Sequence, residues 1–179
     1  MPTTALSEKK HLLPPLEAHL LFWPIAIIGV LLDLWTKKIV FNWLRHRGSV
    51  KIIDGFLQFV LAENDGAAFG IASGRYHLLL VVSATALMVI LALFLFSRTN
   101  QKIVNASLAL FAAGICGNLW DRIFNNGCVR DFIDVVYWPG KHWPAFNVAD
   151  SLLCIGVALL IISTFFTGRP SQTHARQQK

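Results

Sequence analysis

Charge is what this chain has least of. Asp, Glu, Lys and Arg make up 15% of its 179 residues, where soluble domains carry about 25%. With 55% hydrophobic residues and a mean hydropathy of +0.54, that deficit argues against an ordinary soluble core and points to the bilayer. Acids are the scarcer sign: ten Asp and Glu stand against sixteen Lys and Arg, for a net charge of +6 and a pI near 9.6. In a soluble protein that balance suggests nucleic acid. Here the bases lie mainly at the ends of apolar stretches, so no nucleic-acid partner is expected and anionic membrane lipid is. Cysteine is rare and odd in number: Cys116, Cys128 and Cys154. No pair has metal-ligand spacing, which argues against a zinc site and a disulfide framework. Buried structural thiols are the plain reading. No internal repeat is visible. No Ser-His or Cys-His arrangement recommends itself either, because His142 is the only histidine close to the polar cluster described below.

What the chain does have is four apolar stretches. The first, 19–44, carries LLFWPIAIIGVLL and then DLWTKK. No small-residue cleavage site follows its apolar core, so an uncleaved span is expected rather than a signal peptide. A span needs about 20 residues, which puts Asp33 and Lys37 near its far end, four apart on one helix face and able to pair. Residues 45–76 are polar with strand-like pieces. VKIIDGFLQFVLAEN surrounds Asp54-Gly55, a hairpin signal. NDGAAFG, 64–70, follows. Its plain reading is a compact turn, but Gly66 and Ala67 would also permit close approach of another backbone. The clearest span is 77–96. A weaker one, 103–120, is interrupted by Asn105, Gly114, Gly117 and Asn118, and small residues let helices approach closely in lipid. The last runs over 146–166.

The expected fold is a membrane α-helical protein, a four-transmembrane-helix bundle with a small β-sheet and loop subdomain between helices 1 and 2. A leader at 1–18 precedes a single domain at 19–167, with spans near 20–41, 77–97, 103–121 and 146–167, loops at 45–76 and 122–145, and a tail at 168–179. Four spans put both termini on one side. Leader, middle connection and tail hold seven bases and the two other loops hold seven, so charge bias does not set the orientation. The short basic connection at 98–102 leans its own side towards the cytoplasm.

The polar run GNLWDRIFNNGCVRDFIDVV, 117–136, and its partner PAFNVADS, 144–151, carry the chemistry. They sit between apolar stretches, where ionisable groups are expensive and usually have a task. If the third helix runs to about residue 124, Gly114, Asn118, Asp121 and Arg122 share one face, with Asp121 able to hold Arg122. Asn147 and Asp150 share a face of the fourth helix. Asp150 falls in its first turns, where the helix dipole favours a carboxylate. One loop joins these helix ends, so Asp131 and Asp150 can meet at one membrane face. Two nearby carboxylates cannot easily both ionise; they share a proton and titrate as a unit. The ionised one can take a proton from water and the protonated one can donate to a carbonyl oxygen. That is peptide hydrolysis with no metal, no cofactor and no covalent intermediate. Spacing alone leaves other readings open. Structural ion pairs also perturb carboxylates. Asp33, Lys37 and Asp150 could form an ion path. Asp131, Asp134, His142 and Asp150 could hold a metal, and the polar helix faces could serve only to join spans.

DLWTK (33–37), NDGAAFG (64–70), GNLWDRIFNNGCVRDF (117–132) and FNVADS (146–151), in this order between four spans, resemble the lipoprotein signal peptidase family, the type II signal peptidases. The resemblance covers nearly the whole chain. It implies a bacterial inner-membrane aspartyl endopeptidase that cleaves the signal peptide from diacylglyceryl-modified prolipoproteins, just before the lipidated cysteine. It implies that Asp131 and Asp150 are catalytic and that Asn64, Asn118, Arg122 and Asn147 support them. Asp33 and Lys37 match the family's first-span motif. Cytoplasmic termini, an active site at the periplasmic face and a small sheet beside that face are also implied. A monomer is expected. Arg130 departs from the pattern, since an apolar residue often precedes the catalytic aspartate. Asp134 is a second acid three residues on, read as flanking the site.

Overall fold

The computed structural model describes residues 13–67, 72–96 and 101–167. The leader up to residue 12, residues 68–70 of NDGAAFG, the middle connection at 97–100 and the tail from 168 lie outside the described residues. The elements are α1 (Leu16–Leu44), β1 (Val50–Ile53), β2 (Leu57–Asn64), α2 (Tyr76–Phe96), α3 (Lys102–Phe124), β3 (Val129–Trp138), β4 (Lys141–His142) and α4 (Val148–Thr167). All four helices are long and apolar enough to cross a membrane. At 1.5 Å per residue, the 29 residues of α1 reach about 43 Å, beyond a hydrocarbon core of about 30 Å. α1 is therefore longer than a perpendicular crossing needs.

The helix with the lowest mean hydropathy of the four, 1.5, is α3, and it is also the most buried. It packs against α1, α2 and α4. Small residues make this possible. A Cβ on Gly29 of α1 would lie 2.7 Å from Ala113 of α3, and one on Gly114 would lie 2.6 Å from the Ala149 carbonyl and 2.7 Å from Leu153 of α4. Without an apolar solvent difference to drive helices together, such close approach supplies the packing. By contrast α2 is the most apolar and the most exposed. It rests on α3, with Leu87, Ile90 and Leu91 packed against a core cluster shared by α1, α2 and α3, and it meets α1 through Phe94, whose ring stacks on Phe22 at 3.9 Å. Its outward residues, such as Val81, Val82, Met88 and Leu93, are exposed, as a lipid-facing surface requires.

The hairpin expected at Asp54-Gly55 is present. Gly55 has φ +71°, and β1 and β2 pair antiparallel. The sheet is wider than expected, however. Its order is β1-β2-β3-β4, so both inter-helix loops build it, not only the one between helices 1 and 2. The second loop, for which no strand was expected, contains VRDFIDVVYW, whose β-branched and aromatic residues suit a strand. β2 pairs antiparallel with β3 and sets Ala62 opposite Asp131 and Asn64 opposite Val129. An isolated bridge, Ile133 to Phe146, extends this order towards α4. Phe146 is held in that bridge, and α4 begins two residues later at Val148. Helix α3 runs to Phe124, so Asn118, Asp121 and Arg122 all lie on it. The chain then turns through Asn126 and Gly127, both at positive φ, and returns as β3.

Gly114→Ala should lower the stability of the bundle by about 1–3 kcal/mol, the usual cost of overpacking, because the carbonyl its Cβ meets cannot swing aside. Gly156→Ala should cost less than half as much, since there a Cβ meets its nearest neighbours at 3.3–3.4 Å. Reversible unfolding in mixed micelles measures both. Equal losses would contradict this account of the α3–α4 contact.

Candidate active site

Asp131 sits on β3 and is 2% exposed. Strand alternation turns Asp131 to one face of β3 and its neighbour Phe132 to the other, with Asp134 on the side of Phe132. Phe132 thus packs against Val40 and Leu44 of α1. Asp134 goes to Gln58, whose Nε2 donates to its Oδ2 at 2.5 Å, and to His142, whose Nδ1 lies 2.9 Å away. The two acids of DFID, three residues apart, are therefore separated by the sheet.

Asp150 lies in the first turn of α4, where the backbone N–H groups lack partners within the helix. Asn147 and Asp150 satisfy each other reciprocally. The Asp150 N–H donates to Asn147 Oδ1 at 3.0 Å, and the Asn147 N–H donates to Asp150 Oδ2 at 3.2 Å, the logic of a capping box. A third N–H of this helix end, that of Ala149, donates to Asp33 Oδ1 of α1 at 2.9 Å. Gly117 leaves room for that carboxylate, which a Cβ there would strike.

Asparagines join the two carboxylates. Asn147 Nδ2 donates to Asp131 Oδ1 at 2.6 Å and to Asn118 Oδ1 at 3.1 Å. Asn118 Nδ2 donates to Asp150 Oδ1 at 2.8 Å. Asn64 Nδ2 donates to Asp131 Oδ2 at 3.1 Å from the end of β2. Burial and the charge of Asp150 push the Asp131 carboxyl up to about 6, against the hydrogen bonds from Asn64 and Asn147 that favour its ionised form. Both carboxylates, with Asn64, Asn118 and Arg122, line one cavity of about 1010 Å³. Its far wall is apolar and descends α4 through Leu153, Cys154 and Ile155. A carboxyl raised in this way, with a second carboxylate lining the same space, has the chemistry to exchange protons with water and with a carbonyl oxygen.

The remaining residues singled out in the sequence sit around this centre. Arg122 is buried and donates from Nη2 to the Gly66 carbonyl at 2.9 Å and from Nη1 to the Asn118 carbonyl at 3.4 Å, while its Nε has no partner among the described residues. Gly66 is buried and gives its carbonyl to Arg122 and its N–H to Asn64 Oδ1 at 2.9 Å. Ala67, not Gly66, lines the cavity. Asp33 and Lys37 do pair, at 2.7 Å with both side chains fully buried. They lie one layer behind the cavity, and Lys37 Nζ donates to Asn118 Oδ1 at 3.0 Å.

One expected partner is different. Asp121 does not hold Arg122. It holds Arg130, Nη2 to Oδ1 at 2.5 Å, and lies 3.4 Å from Lys37. The turn at Asn126-Gly127 brings β3 back onto the end of α3, which helix spacing could not foretell. The metal set of Asp131, Asp134, His142 and Asp150 does not converge, because Asp134 and His142 pair with each other on the other face of β3.

Comparisons with known proteins agree with this architecture. A family model described as signal peptidase (SPase) II matches residues 25–166. The lipoprotein signal peptidase of Geobacter sulfurreducens is 41% identical over 145 residues, covering 79% of this chain and 89% of that protein. That of Acinetobacter baylyi is 37% identical over 165 residues, covering 90% of each. A bacterial membrane enzyme solved by the in meso method at 2.3 Å superposes with a TM-score of 0.74 at 30% identity, over 93% of this chain and 99% of the other. A second, solved at 1.9 Å, gives 0.70 at 33% identity over 83% and 92%. Sequence over most of its length and fold together say the same thing: the chain belongs to the signal peptidase II family.

Proposed function

We propose that this multi-pass membrane protein removes the signal peptide from lipoprotein precursors, with Asp131 and Asp150 as its aspartyl pair. The observation that carries this reading is the asparagine bridge. Asn147 and Asn118 hold two carboxylates from different segments over one cavity, and Asp131 is raised to about 6 so that a proton is readily shared.

One carboxylate takes a proton from a water molecule as the water oxygen attacks the peptide carbonyl carbon. The other, protonated, gives its proton to the carbonyl oxygen. In the collapse that follows, the C–N bond breaks and the amine leaves with the proton taken from water. The second carboxyl regains its proton from a hydroxyl of the tetrahedral species. No covalent bond to the protein forms. Such paired acid–base work needs the two groups close and partly desolvated.

The apolar wall along Leu153, Cys154 and Ile155 belongs to a span-length helix. It offers acyl chains a place beside the reacting carbonyl, which supports a diacylglyceryl-modified substrate cut before its lipidated cysteine. Asn64, Asn118, Asn147 and Arg122 fix the pair, while Asp33 and Lys37 brace it from behind. Gly66 links Arg122 to Asn64 beside it. The enzyme acts as a monomer in the bacterial inner membrane, with lipid around its exposed apolar helix faces, its termini cytoplasmic and its cavity at the periplasmic face.

Cleavage of a lipidated precursor tests the pair. Asp131→Asn and Asp150→Asn should each leave activity at or below about a percent, since a positioned acid or base contributes about 10²- to 10⁴-fold. Both variants should still insert and bind precursor. Asp134→Asn should be far milder. A dead Asp134→Asn with an active Asp131→Asn would mean that the wrong aspartate is named.

Asn64→Ala removes one of the two side-chain hydrogen bonds that hold Asp131. It should slow cleavage about tenfold or more while the protein remains folded, one hydrogen bond to a charged group being worth about 1.5–3 kcal/mol. Unchanged turnover would reduce NDGAAFG to a turn.

Orientation is read from reporters. A fusion after Lys179 should report cytoplasm, and insertions near Arg47 or Lys141 should report the outside. A periplasmic C-terminus would sink the orientation.

A further inference from the structure

Arg130 stands out because the proton transfers proposed for the aspartyl pair do not use it. It is the residue immediately before Asp131, and it binds Asp121 with both side chain and backbone. Its Nη2 lies 2.5 Å from Asp121 Oδ1, its Nε 3.2 and 3.3 Å from the two oxygens, and its backbone N–H donates to Oδ2 at 2.9 Å. Its carbonyl receives Asn147 Nδ2 at 3.4 Å. The backbone on both sides of the Arg130 α-carbon is thus tied down, and Asp131 leaves the strand from that fixed point.

Asp121 is fully buried. Its other neighbour is Lys37, at 3.4 Å, and Lys37 is in turn paired with Asp33 at 2.7 Å. Asp33, Lys37, Asp121 and Arg130 form a chain of alternating sign across α1, α3 and β3. Two anions and two cations sum to zero. The chain lies directly behind the aspartyl pair: Lys37 donates to Asn118, which donates to Asp150, and Asp131 feels the charge of Lys37. The other charged groups around the pair are Arg122 from α3 and, lining the cavity from β2 and the loop after it, Glu63 and Asp65. Asp134 and His142 are engaged with each other across the sheet.

We propose that Arg130 is a positioning residue for Asp131, and that by neutralising Asp121 it also sets the pH range in which Asp131 and Asp150 share a proton. The inference rests on the reading of those two residues as the catalytic pair. Its physical content is a sign. Remove the Arg130 cation and the buried chain becomes net negative, which disfavours ionisation of nearby carboxyls. Both limbs of a bell-shaped pH–rate profile then move to higher pH. Remove the Asp121 anion instead and the chain becomes net positive, so both limbs move to lower pH. Remove both and neutrality returns.

The test is the pH profile of kcat and of kcat/KM for cleavage of a lipidated precursor by the full-length protein in micelles. The variants are Arg130→Met, Arg130→Lys, Asp121→Asn and the double Arg130→Met with Asp121→Asn. Arg130→Met should shift the bell up by about one unit and lower kcat more than it raises KM. Asp121→Asn should shift it down. The double variant should return the bell to its wild-type position even if its kcat stays low, and Arg130→Lys should lie between Arg130→Met and wild type. A structural loss alone cannot produce shifts of opposite sign. If Arg130→Met fails to fold, Asp121→Asn and Arg130→Lys still carry the sign test. Bells that stay at the wild-type position in all folded variants would overturn the proposal while leaving the aspartyl pair intact. Activity retained in Asp131→Asn and Asp150→Asn would overturn the pair itself.

Discussion

A lysine whose side chain is wholly buried, Lys37, sets the terms for the rest of this molecule. An ammonium in a helix that spans lipid is expensive unless it is paired and hydrogen-bonded. Lys37 meets that requirement with three partners on two helices: Asp33 on its own, Asn118 and Asp121 on α3. Each partner then needs satisfying. Asp33 accepts the Ala149 N–H and so fixes the start of α4. Asp121 takes Arg130 and so fixes the start of β3. Breaking a buried pair by removing one member costs about 3–5 kcal/mol, so the register of α1, α3, α4 and β3 is set by charge as much as by packing.

The same constraint explains the geometry of the site. Asp131 and Asp150 stand on two elements whose first residues are both anchored to this buried chain. The asparagines between them carry no charge of their own, so they hold the carboxylates without neutralising either. The sheet adds the remaining restraint. β2 comes from the first loop and β3 from the second, so Asn64 reaches Asp131 from a part of the chain far away in sequence. Rigid supports on both sides hold the two carboxylates in a fixed geometry, as the proposed pair requires.

The spans were legible because hydropathy is a local property, and the 54–55 turn because Asp-Gly is a local signal. The Asp33–Lys37 pair was legible because helix spacing places residues four apart together. What spacing could not reveal was where Lys37 points next, or that Asp121 would choose Arg130 over Arg122. Those choices depend on β3 folding back through Asn126-Gly127. The strand in the second loop was missed for another reason. Arg130, Asp131 and Asp134 break up VRDFIDVVYW, and polar residues there read as loop. Each of the three is in fact buried or half-buried with a partner. Resemblance to the signal peptidase II family supplied what local patterns lacked, by tying distant motifs into one order.

At the centre of the account is a proton shared between Asp131 and Asp150. Infrared difference spectroscopy of the protonated carboxyl band, with wild type measured against Asp131→Asn across pH, tests this most directly. The account predicts a band that titrates near pH 6, in line with the raised Asp131 carboxyl, and that is missing from Asp131→Asn. It also predicts that the midpoint falls when Asp150 is replaced by Asn, because the neighbouring negative charge is gone. A wild type with no such band above pH 5, or a midpoint indifferent to Asp150, would contradict it.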